Sequence, residues 1–363
     1  MSGITLDVLT RRAEIRLEDR VVLVDITESD YGDIFGRKRP LDPLIILKLI
    51  QAALRGGAKL VAVDIATEDW PQRKDIDAAL ANVGGLNGEL LIDGGAVVWA
   101  RDFYMKPEQL GARYEMQPII GGAAAAATEC FGPPGLAEEA GVVRWFTTSL
   151  EADSSYQPSF VEQILYRSTH NSCLDRSDNS ELRLISFSSK IRSESAGTLL
   201  QESEEKDWGV SVKPYARKVV ILGGSFHAGA DLRGTPMGVR SGLEINGQAV
   251  ASALKGEARL EIGEGWSLAA DIGLGILVVF IGLIGPRAHL WTTALTLLIA
   301  TSGMWLLWRE YYLFLSFIPI GFGLIAHLYL ARLFPHGSSD LLNPARVSAA
   351  AKDQPALGKT RRH

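Results

Sequence analysis

Two aspartates stand at the ends of short apolar runs. Asp25 is near the end of VVLVDI (21–26) and Asp64 near the end of KLVAVDI (59–65). Runs of this kind, rich in β-branched residues, read as buried strands. Carboxylates at the carboxyl edge of parallel strands commonly face a ligand crevice. Asp25 and Asp64 read as the ends of adjacent strands, where together they could bind a cation or an amine. The same positions also suit carboxylates that cap the following loop or helix through its backbone N–H groups. Asp231 and Thr235, the latter followed by Pro236, sit in a loop after a third buried run, KVVILGG (218–224). They either line the same crevice or fix the loop through Asx-type turns. Arg144, at the start of a strand, could clamp a carboxylate ligand bidentately or pair internally with Asp or Glu.

Other familiar chemistry is missing from the pattern. Gly223-Gly224 follows a strand, as in anion-binding turns, but no Lys-Ser/Thr follows and the spacing fits neither phosphate fingerprint, so a tight turn is expected. Glu244 opens a helix, where its charge suits the helix dipole. His170 and His227, the histidines before residue 265, lack a Ser or Cys neighbour at a recognisable elbow. Gly-x-Ser-x-Gly and His-Glu-x-x-His are both absent. The chain therefore reads as a non-enzyme with no cofactor. Cys130 and Cys173, the two cysteines, form no Cys-x-x-Cys or Cys/His cluster, which argues against structural zinc. If their domain is extracytoplasmic, they could form a disulfide. The formal net charge of −5 supplies no basic face, so no nucleic-acid partner is expected.

The elements that must position these residues alternate. Between the strands already named, 43–54 has apolar residues at helical spacing and stops at Gly56-Gly57. A short helix is expected over 75–83 and a strand over 96–100. Residues 142–150 alternate like a half-buried strand, 160–166 form a helix after Pro158-Ser159, and 243–254 form another. Strands alternating with helices predict an α/β fold: a layered mixed or mostly parallel sheet with helices on both faces. Residues 105–140 and 167–210, rich in Gly/Ala or Ser/Glu, read as long loops or insertions.

This α/β portion is expected over 1–265 and is followed by a three-helix transmembrane segment over 266–334. The spans are about 266–285, 289–308 and 311–334, each long enough to cross roughly 30 Å of hydrocarbon as helix. A short basic tail, 335–363, is expected to be disordered. Its positive charge, with Trp266, Trp305, Trp308, Tyr311 and Tyr312 at one interface, predicts a cytoplasmic tail and an extracytoplasmic N-terminal domain at the inner membrane. Asp271 and His327 are polar groups within the spans, where ionisable residues are functional candidates. Gly273, Gly275, Gly282 and Gly285 would allow close helix packing, including between subunits of a homo-oligomer.

The first twenty residues contain no apolar run, so no signal peptide is visible. Either a first helix lies upstream of the given start, or the domain is cytoplasmic and the tail outside. The first is preferred because of a resemblance carried by four blocks: RLEDRVVLVDITESDYGDIFGRKRPLDPLIILKLIQAALRGGAKLVAVDI (16–65), GVVRWF (141–146), QPSF (157–160) and KVVILGGSFHAGADLRGTPMGVRSGLEINGQAVASALKG (218–256). In this order, followed by three apolar spans, they resemble the second class of CHASE sensory domains (cyclases/histidine kinases associated sensory extracellular). The resemblance covers about 15–335. It implies an extracytoplasmic sensory domain, a helix upstream of the first block and an output module after the third span.

Only the basic tail follows here, so a separate cytoplasmic output protein is expected. The expectation is a membrane-anchored sensor in the lipid bilayer. It binds an unknown small ligand or envelope protein near Asp25, Asp64, Arg144, Asp231 and Thr235. A non-sensing scaffold or receptor remnant assembling through its transmembrane helices is the alternative, and a membrane-bound enzyme is a third reading.

Overall fold

The structure is a computed structural model. It describes residues 16–67, 70, 96–101, 103–105, 114–116, 130–152, 155–170, 172–187, 189–205, 213–227, 231–260, 273 and 302. The chain divides into two compact units, 1–261 with 307–314, and 262–306 with 315–363. The three expected spans and the tail lie outside the described residues, apart from Gly273 and Ser302. Asp271, His327 and the helix expected over 75–83 lie outside them too. Among the described residues no helix is long and apolar enough to cross a membrane.

The first unit is built on a six-stranded, fully parallel sheet. Its strands are β1 (Arg16–Ile26), β2 (Leu60–Asp64), β3 (Ala96–Ala100), β6 (Cys130–Gly132), β12 (Ser189–Ser195) and β13 (Val219–Gly224), in the spatial order β12-β1-β13-β2-β3-β6. A second sheet carries β7 (Leu136–Glu139), β8 (Val142–Thr147), β11 (Leu182–Leu184), β14 (Leu232–Thr235), β15 (Gly238–Ser241) and β16 (Arg259–Leu260). Two separate antiparallel pairs are β4 (Phe103–Met105) with β5 (Tyr114–Met116), and β9 (Ser149–Ala152) with β10 (Ser155–Pro158).

Each parallel strand divides its side chains between two cores, because successive residues point to opposite faces. Val22, Val24, Val61, Val63, Val220 and Leu222 enter one core. It is covered by α2 (Pro43–Arg55) through Ile46 and Ile50, and by α4 (Ala196–Glu205) through Ala196 and Leu199. Val21, Leu23, Leu60, Ala62, Val219 and Ile221 enter the other. It is covered by α3 (Phe160–Thr169) through Phe160 and Ile164, and by α5 (Gly242–Leu254) through Ile245 and Val250. The short α1 (Glu28–Asp33) follows β1 directly.

Local chemistry sets where the helices begin. Asp42 caps α2 by accepting from Leu44 N, with Pro43 inside the first turn. Ser159 caps α3. Ser241 and Glu244 form a reciprocal capping box at α5, so the negative first turn expected of Glu244 also satisfies a backbone donor.

Several sequence expectations change. The run 142–150 is one strand only to Thr147, and Val143 to Phe146 are all buried rather than alternating, because both faces of β8 are covered. The supposed loop 167–210 contains the edge strand β12 and the helix α4; 105–140 contains β5, β6 and β7. SKIRSES carried no apolar alternation because β12 is an edge strand, paired on one side only.

Candidate functional site

The sheet order decides which of the expected residues meet. Asp25 and Asp64 do not end adjacent strands; β13 runs between them, and Asp25, Gly223 and Asp64 form one rung. Two inter-strand steps separate the two acids by about 10 Å of backbone. Residues in register share a face, so both side chains turn toward the side that α3 and α5 cover. Gly223 places no side chain between them. A Cβ there would come within 3.1 Å of Leu243 Cδ1 and 3.3 Å of the Asp64 carbonyl oxygen.

The two acids have different surroundings. Asp64 Oδ2 accepts a 2.9 Å hydrogen bond from Asn246 Nδ2, on α5. Asp25 Oδ2 accepts a 2.6 Å bond from Ser225 Oγ, while its Oδ1 is buried without a partner. Burial pushes the Asp25 carboxyl above its ordinary range, the Ser225 bonds oppose this, and the nearby charges of Asp30 and Glu244 add to the rise. Asp25 is not a helix cap; after β1 that role falls to Thr27, which pairs reciprocally with Asp30.

A cavity of about 500 Å³ opens at the carboxyl edge of the parallel sheet, where open α/β sheets bind ligands. Asp64 and Asn246 stand at its sheet side. Asp231 and Arg233, from the start of β14, stand at another: Arg233 Nε donates to both Asp231 carboxylate oxygens at 2.9 Å, and its Nη1 lies 3.7 Å from Glu138. At a third, the Arg39 guanidinium lies 5.7 Å from the centre of the Phe226 ring, which itself stacks on Tyr31 at 4.3 Å. Leu41, Ile65 and Leu243 supply apolar wall. Gly242 and Leu243 bring the start of α5 to the same space.

Of the expected ligand residues, Asp64 and Asp231 therefore line one cavity. Asp25, Arg144 and Thr235 do not line it. Arg144 is 5 % exposed; its Nη1 donates to the Glu139 carbonyl at 2.9 Å and lies 3.8 Å from the Glu139 carboxylate, so it is paired within its own hairpin. Thr235 Oγ donates to the Gly238 carbonyl at 2.6 Å and accepts from Met237 N, which fixes the β14–β15 turn. His227 is exposed, with its N–H donating to Glu28. Among the described residues no group of three or more His, Cys, Asp or Glu is placed to hold a metal ion. Cys130, on β6, is bonded to Cys173 (S–S 2.02 Å, Cα–Cα 5.2 Å).

Arg39, Phe226, Arg233 and Asn246 were not singled out by the sequence. Asn246 did leave a signal: it is a polar residue on the helix stripe shared with Leu243, Ala249 and Val250, which are buried. Arg39 and Phe226 left none, since loop residues far apart in sequence meet only through the fold.

A model of the CHASE2 domain matches residues 2–284. A search of curated proteins finds no match, and neither does a search of solved structures. CHASE2 is a sensory, extracellular domain of signalling receptors. With a match over most of its length, and with a mixed α/β layered fold to go with it, the chain belongs to the CHASE2 domain family.

Proposed function

We propose that this chain is a membrane-anchored sensor whose α/β domain lies outside the cytoplasm and binds a small ligand in the cavity at the carboxyl edge of its parallel sheet. The cavity carries the reading: charged and amide groups converge there at the place where such sheets bind ligands. The Cys130–Cys173 bond supports an oxidising compartment, where disulfides persist. Apolar runs over 266–285, 289–308 and 311–334 support anchoring in the inner membrane, with the basic tail in the cytoplasm.

Signal transmission is assigned to α5. Its first turn borders the cavity, and it ends at Leu254, shortly before the apolar sequence begins at Trp266. A ligand that contacts one end of α5 can bias its position only through differential affinity for two arrangements of the helix. Among the described residues of the cavity wall no nucleophile stands beside a base, which supports binding as the role of the site.

Thermal-shift screening of the detergent-solubilised full chain against small molecules tests the reading. Ligands are expected to raise the midpoint of the natural protein and to have less effect on Leu243→Trp, which puts a larger side chain in the cavity wall. Hits that act equally on both proteins would remove the cavity from the account. Protease added to sealed, right-side-out cells is expected to cleave the domain and spare the tail; the reverse pattern overturns the outward orientation.

A further inference from the structure

We infer that the cavity is built for a small zwitterion of amino-acid size, carrying a primary ammonium at one end and a carboxylate at the other. This rests on the sensory reading of the same cavity and names the chemistry of its ligand. The argument starts from Asn246. Its side chain is 2 % exposed residue-wide, its Nδ2 is committed to Asp64, and its Oδ1 has no hydrogen-bond partner. Folded proteins leave few buried acceptors unsatisfied, because each one costs free energy that water would otherwise supply. Here the unsatisfied oxygen belongs to a residue of the cavity wall, beside a carboxylate. A ligand hydroxyl could donate only one hydrogen to this corner. An ammonium has three, enough to reach the amide oxygen and an Asp64 carboxylate oxygen together.

The cations of the cavity are not equivalent. Arg233 is held by Asp231 at 2.9 Å and approached by Glu138 at 3.7 Å, so its charge is already answered. Arg39 has no acidic partner among the described residues; its guanidinium carbon lies 5.7 Å from the centre of the Phe226 ring. A planar fork in that position suits a carboxylate. The wall also has apolar groups, Leu41, Ile65 and Leu243, available to a ligand side chain. A volume of about 500 Å³ accommodates an amino acid of any size.

Calorimetric titration of the full chain in detergent with each of the twenty L-amino acids tests this. For the tightest one, its decarboxylated amine and its deaminated acid are titrated as well. At least one amino acid is expected to bind, with both analogues weaker by about tenfold or more, the loss of one charge-assisted contact. Arg39→Gln is expected to lower amino-acid affinity by a similar factor while leaving the amine's affinity unchanged. Asp64→Asn is expected to do the converse, sparing the deaminated acid. Arg39 is exposed, so its variant keeps the fold, and a thermal melt verifies this. The inference is overturned if no amino acid binds, if either analogue binds as tightly as its parent, or if Arg39→Gln weakens amine and amino acid alike. If instead a sugar or a dicarboxylate binds and Leu243→Trp abolishes that binding, the zwitterion fails and the sensory reading stands.

Discussion

Asp25 and Asp64 occupy the same rung of one sheet but differ in what answers their charge. Asp64 is bonded by an amide that is itself locked in a helix. Asp25 keeps one buried oxygen unanswered and faces the charges of Asp30 and Glu244. A carboxyl whose folded pKa is raised binds its proton more tightly in the folded than in the unfolded state. Its contribution to stability is therefore greatest in acid and declines as pH rises from the ordinary value of 3.8 through the raised one. Asp25→Asn is expected to raise the melting temperature at pH 7 and to leave it unchanged well below pH 3.8, where the carboxyl is protonated in folded and unfolded chains alike. Melts across pH measure this; a variant destabilised at pH 7 would mean that the ionised carboxylate has a partner. The sequence marked both aspartates through their position after apolar runs. It could not distinguish them, because Ser225 and Asn246, which set the difference, come from sequence about 180 to 200 positions away.

At the scale of elements, α5 is fastened at both ends. Its start is held by the Ser241–Glu244 capping box. Ser241→Ala should cost about 1 kcal/mol, read from the denaturant midpoint. Its end is tied to the first parallel strand: Arg20 Nη1 donates to the Leu254 carbonyl at 2.9 Å, and Lys255 Nζ lies 3.3 Å from Glu18 Oε2 and donates to Ser189 Oγ at 2.9 Å. Burial would raise the Glu18 carboxyl, but hydrogen bonds from Arg20 and Lys255 together with the Arg20 charge outweigh it and hold the group below its ordinary value. A lowered carboxyl stabilises the fold above its unfolded pKa and loses that contribution as pH falls through the folded one. Glu18→Ala removes this carboxylate and strands Lys255, 14 % exposed, without it. It is expected to cost about 3 kcal/mol at pH 7 and clearly less in acid. Equal losses at both pH values would show that packing, not charge, holds the joint. The acidic first turn of α5, at Glu244, was legible in sequence as a short-range pattern. The Glu18–Lys255 tie was not, since it spans nearly the whole domain.

For the whole molecule, the disulfide offers a direct reading of compartment. Cys130 and Cys173 account for every cysteine in the chain. Protein isolated from cells with thiols blocked during lysis should take up no alkylating label until reduced, then two labels, read by intact mass. Two labels without reduction would place the domain in a reducing compartment. Cys130→Ser is expected to lower stability by about 2–4 kcal/mol, the usual effect of opening a closed loop of this kind in a secreted domain. Nucleotide hydrolysis by the purified chain is expected to be absent, and turnover would contradict a purely sensory role.

By itself, the sequence determined the class of fold, the position of most central strands and helices, and the family to which the chain belongs. These follow from local quantities: the apolar period, the capping residues and the order of short blocks. Only the tertiary structure decided that β13, the last of the parallel sheet's strands in sequence, enters the middle of that sheet between β1 and β2. That insertion separates Asp25 from Asp64 and sets Gly223 between them. It also carries Phe226, just past the end of β13, to where Arg39 meets it at the mouth of the cavity that Asp64 and Asn246 line. Strand order is a long-range choice among pairings that each bury similar apolar surface. No period within a single strand records which neighbour it will take.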